Sequence, residues 1–178
     1  YNELLVQVGE DKKNLEKLMG HEIRGMAYPY GTWNDLVISV LKEFGITYAR
    51  TIKMTHGFGL PENFLTWETT ARNKSPELFE IGQRFLDTQE ELALCYIWGH
   101  SYEFEIDDSF ERMERFCKLV KGNEDVWYAT NIEIADYIIA MRKAEIGENY
   151  IKNNSDKALW FEIDGKTIKA QAGQRLEF

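Results

Sequence analysis

Leu92-Ala93-Leu94-Cys95-Tyr96-Ile97-Trp98 is an unbroken apolar run that stops at Gly99-His100. A run of this length, rich in branched and aromatic residues, reads as a strand buried on both faces, and such strands belong to parallel sheets covered by helices. The polar burst Ser101-Tyr102-Glu103 then reads as the loop beyond the C-terminal end of that strand. In barrel-like α/β proteins that end is where chemistry sits. His100 is therefore the first residue to weigh.

The rest of the chain alternates in the same sense. From Asn2 to Met19, Leu4, Leu5, Val8, Leu15 and Leu18 recur at helical spacing, and Gly20 follows where a helix would end. Residues 22–28 read as a strand broken by Pro29 and Gly31, Leu36 to Phe44 as a helix closed by Gly45, and 46–52 as another strand. Residues 53–74 show no sustained period and read as a long functional loop. Ser75-Pro76 predicts an N-cap and first helical position, and Leu78, Ile81 and Phe85 predict the buried face that follows. Asp107-Asp108-Ser109 predicts the cap of a helix burying Phe110, Met113, Cys117 and Val120; residues 125–129 predict a short strand. Thr130 with Glu133 is a capping box, and Asp164-Gly165 between two alternating runs is a hairpin signal. These patterns predict an α/β domain over residues 1–146, with a C-terminal β appendage over 147–178.

Composition narrows the function classes. The net charge is -9, with cations interspersed among acids, so nucleic acid is a poor partner and a neutral or cationic ligand fits better. No apolar run reaches the roughly 20 residues of a membrane span, and residues 1–5 lack the flank of a signal peptide, leaving the compartment open. Cys95 and Cys117 read as buried free thiols on apolar faces.

Four strands alternating with helices predict parallel pairing, with their C-terminal ends on one face. Those ends are Tyr28-Pro29-Tyr30, Arg50-Thr51, Trp98-Gly99-His100 and Tyr128-Ala129-Thr130. His100 reads either as a general acid or base, or as a hydrogen-bonded structural residue. Trp67 could stack on a sugar ring or fill the mouth of the sheet. His21 and His56 read as surface residues. No local His or Cys spacing predicts a metal motif.

Three segments carry a family resemblance: Arg24-Gly25-Met26-Ala27-Tyr28-Pro29-Tyr30-Gly31, Ile97-Trp98-Gly99-His100-Ser101-Tyr102-Glu103-Phe104 and Trp127-Tyr128-Ala129-Thr130-Asn131. Together they resemble the second half of a polysaccharide deacetylase of the NodB-homology type, carbohydrate esterase family four, from Tyr1 to about Ala144. The resemblance implies part of a distorted (β/α) barrel, NodB-like, with the β-hairpin as a short appendage. It implies metal-dependent removal of N- or O-acetyl groups from chitin-like or peptidoglycan sugars, with zinc or another divalent metal as cofactor. The paired aspartates and the His-x-x-x-His that would hold the metal have no match here, nor has the Asp-x-x-Asp-Trp motif. Ala27-Tyr28-Pro29-Tyr30 stands for Arg-x-Pro-Tyr, making the Tyr30 N–H the oxyanion donor, and Ile97-Trp98-Gly99-His100 stands for Leu-x-x-His, making His100 the acid. Tyr28, Pro29, Trp67 and Trp98 are the substrate-binding candidates, and the partner is an acetylated oligo- or polysaccharide. The isolated chain is expected to be inactive, because an acid and an oxyanion donor do not replace a metal-activated water. A partial barrel would leave its interior face and first strand uncovered, so homo-oligomerisation or an upstream segment completing the sheet is expected. The alternative is a non-catalytic carbohydrate-binding or structural module.

Overall fold

The computed structural model describes residues 1–178 and contains six α-helices and ten strands. Helix α1 (Asn2–Met19) ends at Gly20, whose left-handed backbone donates its N–H to Glu16. Strand β1 (Gly25–Ala27) leads into a single 3-10 turn at Pro29–Gly31. Helix α2 (Asp35–Glu43) starts where the Asn34 side chain accepts from the Val37 N–H, the bond expected of a cap. Strand β2 (Tyr48–Met54) then pairs parallel to β1 with Ala27 opposite Arg50. This β1-α2-β2 unit buries Tyr28, Leu41, Ile46, Ala49 and Leu65 together, with Val8, Met26, Val37, Ile38 and Phe44 against them.

The long segment expected to be irregular carries two strands. Strand β3 (Trp67–Thr69) pairs parallel with β2, and β4 (Ala71–Arg72), separated from it by Thr70, pairs parallel with β5 (Ile97–Trp98). At three and two residues they are too short to establish an alternating period in the sequence. Between β4 and β5 lies helix α3 (Leu78–Leu86). Ser75 does not cap it; its hydroxyl accepts from the Arg72 N–H, and Ser75 O accepts from Leu78 N. The run expected to be one long strand forms only β5, and Leu92 at its start is exposed. Its inner residues Ala93, Cys95 and Ile97 pack beside Phe58, Ala71 and Ile81. Burial pushes the Cys95 thiol up to about 11.

Helix α4 (Tyr102–Ile106) follows β5 directly, then α5 (Phe110–Val120). The face of α5 is turned from the expected one. Phe116 is buried while Phe110 and Cys117 are exposed, because Phe116 and Leu119 close over Gly82 of α3. Asp107 and Asp108 do not cap it: Asp107 pairs with Lys74, and the preceding residue of α5 is Ser109. Residues 125–129 form no strand, and the Tyr128 hydroxyl instead bonds Val120 O and Asn123 N in a turn.

Strands β1, β2 and β3, then β4 and β5, thus pair in chain order and all in parallel. The class is mixed α/β, as the alternation implied. The sheets are small and open, of three and two strands, and do not close on themselves. No helix is long and apolar enough to cross a membrane.

Residues Tyr1–Tyr128 make one compact unit and Ala129–Phe178 another. The sequence-based boundary at 146/147 falls inside the second, which contains helix α6 (Asn131–Met141), strands β6 (Glu145–Ile146) and β7 (Tyr150–Lys152), hairpin β8 (Leu159–Ile163) and β9 (Lys166–Ala170), and β10 (Arg175–Glu177). Asp164 and Gly165 both take positive φ, 51° and 71°, as a tight two-residue hairpin turn requires. Strands β10, β7 and β6 form an antiparallel sheet. The Tyr137 hydroxyl of α6 accepts from Trp160 N of β8. Both halves of the Thr130–Glu133 capping box are formed. Thr130→Ala should therefore lower stability by about 1 kcal/mol, read as a shifted urea midpoint by circular dichroism; an unmoved midpoint would mean that the box contributes nothing.

Candidate functional site

Because paired residues of a parallel ladder share a face, the sheet has two distinct sides. Met26, Tyr28 and Ala49 face the α2 side and are packed there. Tyr48, Arg50, Ile52, Met54, Trp67, Arg72 and Trp98 belong to the opposite face. That face is partly open: Ile52 and Met54 are exposed.

At the C-terminal ends of β4 and β5 a charged cluster forms. The Trp98 carbonyl accepts from Asn73 N at 2.8 Å, and a Cβ at Gly99 would stand 2.4 Å from the Asn73 side chain, so only glycine lets the two strand ends close together here. The chain then turns into α4, with Glu103 N donating to His100 O at 3.1 Å. This single helical turn swings the Glu103 carboxylate back under His100. Oε2 accepts from the His100 N–H at 3.3 Å, and Oε1 lies 3.5 Å from Nδ1 of the ring. Glu103 is 5% exposed and pairs with Arg72 and, at 3.3 Å, with Lys74. Burial alone would raise its carboxyl; the His100 N–H, Lys74 and Arg72 overcome that and hold it at about 2. It is a fixed anion at any ordinary pH.

His100 is half exposed, stacked on Tyr102 at 5.1 Å and edge-on to Trp98 at 5.8 Å. With a carboxylate behind Nδ1 and aromatic rings on its flanks, the imidazole is held in one orientation, with Nε2 left for another partner. Chemically this is an oriented acid or base. Sequence reasoning missed Glu103, although three residues after His100 is the spacing that meets across a helical turn; Arg72 and Lys74 lie in residues 53–74, which show no sustained period.

Trp98 lies under two guanidinium groups, with Arg50 at 4.4 Å and Arg72 at 5.2 Å from the ring centre. Arg50 reaches it from β2, past β4. The Nε1 of Trp98 and the Nε of Arg72 are buried donors with no acceptor, and Asn73 Oδ1 is a buried acceptor with no donor.

The other sequence-derived candidates are dispersed. Trp67 is 1% exposed, packed by Tyr48, Phe64 and Tyr96 at 5.7, 5.0 and 4.9 Å, so it fills the face and offers no surface to a sugar. Tyr28 is buried, its hydroxyl donating to Leu65 O, and burial pushes that hydroxyl up to about 12. Pro29 opens the 3-10 turn. Tyr30 is 91% exposed with φ 56° and ψ 10°, a left-handed conformation rare for an aromatic residue, and its N–H makes no hydrogen bond within the chain. Tyr30 follows β1 and His100 follows β5, with β2 and the β3–β4 stretch between them. On a flat sheet that is roughly 14 Å, and no contact joins the two.

The residues present do not fit a divalent metal. No group of three or more His, Cys, Asp or Glu side chains converges anywhere in residues 1–178, and the end of β4 carries Arg72 and Lys74; the strand end expected at Arg50-Thr51 lies inside β2, which runs on to Met54. His21 and His56 are exposed, as expected of surface residues.

The family model for polysaccharide deacetylase matches residues 1–49. The matched stretch holds α1, β1, the Tyr28-Pro29-Tyr30 turn, α2 and the start of β2; Trp98, His100 and Glu103 lie beyond it. No curated protein and no solved structure matches the chain.

Proposed function

We propose, from the match of residues 1–49 to the polysaccharide deacetylase family model, that this chain binds acetylated sugars at the mouths of β1 to β5, as part of a NodB-like barrel. Within it, His100 is the group that protonates the leaving nitrogen or oxygen. The observation that carries the reading is the His100–Glu103 pair, in which a buried carboxylate fixes the ring at the end of a parallel strand. In hydrolysis of an acetyl amide the bond from carbonyl carbon to nitrogen breaks, and the departing nitrogen needs a proton; an imidazolium Nε2 at this place supplies it. The free N–H of Tyr30, in its left-handed turn after β1, lies too far from His100 to serve the same amide and is a hydrogen-bond donor for a neighbouring unit of the bound sugar. Strands paired in chain order with α2 on one face support the partial-barrel reading.

The family chemistry implied by the resemblance draws its nucleophile from a metal-bound water, and the side chains of this chain do not form a site for that ion. The 178-residue chain is therefore expected to bind N-acetylchitotriose and leave it intact. The test titrates the sugar by calorimetry and follows acetate release with and without added zinc. Binding without acetate release is the expected result. Acetate released above the buffer rate by the isolated chain would overturn the inactivity, and no heat of binding would overturn the sugar site. Absence of a converged metal-ligand set also favours a second reading, a carbohydrate-binding module without catalysis. His100→Asn separates the two in any longer form that does release acetate: loss of release with unchanged sugar affinity assigns His100 to the chemistry.

A further inference from the structure

We infer that the Arg50–Trp98–Arg72 stack is a subsite for a carboxylate-bearing sugar unit, so that the saccharide bound at this mouth is anionic. The inference rests on the acetyl-sugar reading above and specifies its ligand. The chain carries a net charge of -9, yet around Trp98 and the ends of β4 and β5 three cations, Arg50 from within β2, Arg72 and Lys74, face only two carboxylates, Glu103 and Asp107, while Lys53 near the end of β2 is already paired with Glu68. Both oxygens of Glu103 are already engaged, by Arg72, Lys74 and the His100 N–H. Arg50 has no carboxylate partner; its one hydrogen bond is to Thr51 O at 3.1 Å, and its guanidinium lies 4.4 Å above the Trp98 ring.

Beside it the Nε of Arg72 and the Nε1 of Trp98 lack acceptors. Against one unpaired acceptor there, Asn73 Oδ1, donors are in excess on this corner of the sheet, although buried polar groups are normally paired. A carboxylate offers up to four lone-pair sites in a plane, and the guanidinium fork matches it with two parallel N–H bonds. The Trp98 ring holds that fork in place by its cation–π contact. The overall acidity of the chain pointed to a neutral or cationic ligand; this local excess of positive charge points the other way, and the contact charges decide at short range.

The test uses the full 178-residue chain with three probes, trigalacturonic acid, its methyl ester and N-acetylchitotriose, read by calorimetry and by Trp fluorescence at low and high salt. The acid should bind at least about tenfold more tightly than the ester, with a preference that shrinks as salt rises. Arg50→Gln should erase that preference, and Arg50→Lys, which keeps the charge but not the fork, should keep only part of it. Circular dichroism establishes that each variant is folded. Equal affinity for acid and ester, or a preference that survives in folded Arg50→Gln, overturns the inference. If N-acetylchitotriose binds and the acid gains nothing, the subsite falls while the acetyl-sugar reading stands. If none of the three binds, both fall.

Discussion

Trp67→Ala should cost about 4 kcal/mol of stability, within the range for emptying a buried aromatic site. The indole is the largest fully buried side chain, and its ring is edge-on to Tyr48 and Phe64 and tilted against Tyr96. These neighbours come from β2, from the 3-10 turn before β3 and from the segment entering β5. Alanine would therefore leave one cavity shared by three parts of the sheet, with no single element free to collapse into it. The indole N–H is buried without an acceptor, so its removal breaks no hydrogen bond and the loss is one of packing. Trp67→Phe, which keeps an aromatic ring, should lose less than half as much, on the order of 1–2 kcal/mol. Urea denaturation followed by circular dichroism measures both. A loss under about 1 kcal/mol for the alanine variant would show that the ring does not hold these strands together.

Glu103→Gln is the second large effect, and it acts on stability and on the site at once. Removing one partner of a fully buried ion pair costs about 3–5 kcal/mol. Here Arg72 and Lys74 are 35% and 38% exposed, and solvent screening brings the expected loss to about 2 kcal/mol. The pH dependence has a definite sign. The folded carboxyl sits at about 2 against an ordinary 4.5, so its contribution is fully present above about pH 4.5 and is lost as the pH falls toward 2. Urea midpoints measured across that interval should drop for the native chain and stay flatter for Glu103→Gln. Parallel curves would mean that Glu103 is not the group being protonated. The same variant removes the negative charge behind His100 Nδ1 and puts an amide in its place. In nuclear magnetic resonance its imidazole signals should therefore broaden or move, while those of His21, remote from the cluster, stay in place.

What the sequence disclosed and what it withheld divide along the range of the interactions. Helix α1 ending at Gly20, the Thr130–Glu133 box of α6 and the Asp164-Gly165 hairpin are each encoded within a few residues, and each formed as read. Strands β3 and β4 were missed because what makes them strands is pairing with β2 and β5, and Thr69-Thr70-Ala71-Arg72 has too few residues to display an alternation. Residues 125–129 misled in the opposite direction: Trp127 and Tyr128 carry strand propensity, but the Tyr128 hydroxyl finds its acceptor in the preceding turn at Val120. At the site, His100 was visible as the polar stop of an apolar run. Its partners were not, since Arg72 and Lys74 reach Glu103 only through the pairing of β4 with β5. Trp67 was open to either role until its neighbours filled in around it.

The chain-order pairing of the sheet also bears on how the molecule assembles. The contact of Thr51 with Trp67 spans 16 residues and that of Thr70 with Tyr96 spans 26, so every neighbour in the sheet is also a near neighbour along the chain. Closing loops of that size costs little entropy, and no later strand has to insert between two earlier ones. A ribosome delivering this chain from its N-terminus would release each strand just after the one it pairs with. Residues 1–128 can then grow strand by strand at one moving edge, while the outer edge of β1 stays the fixed one.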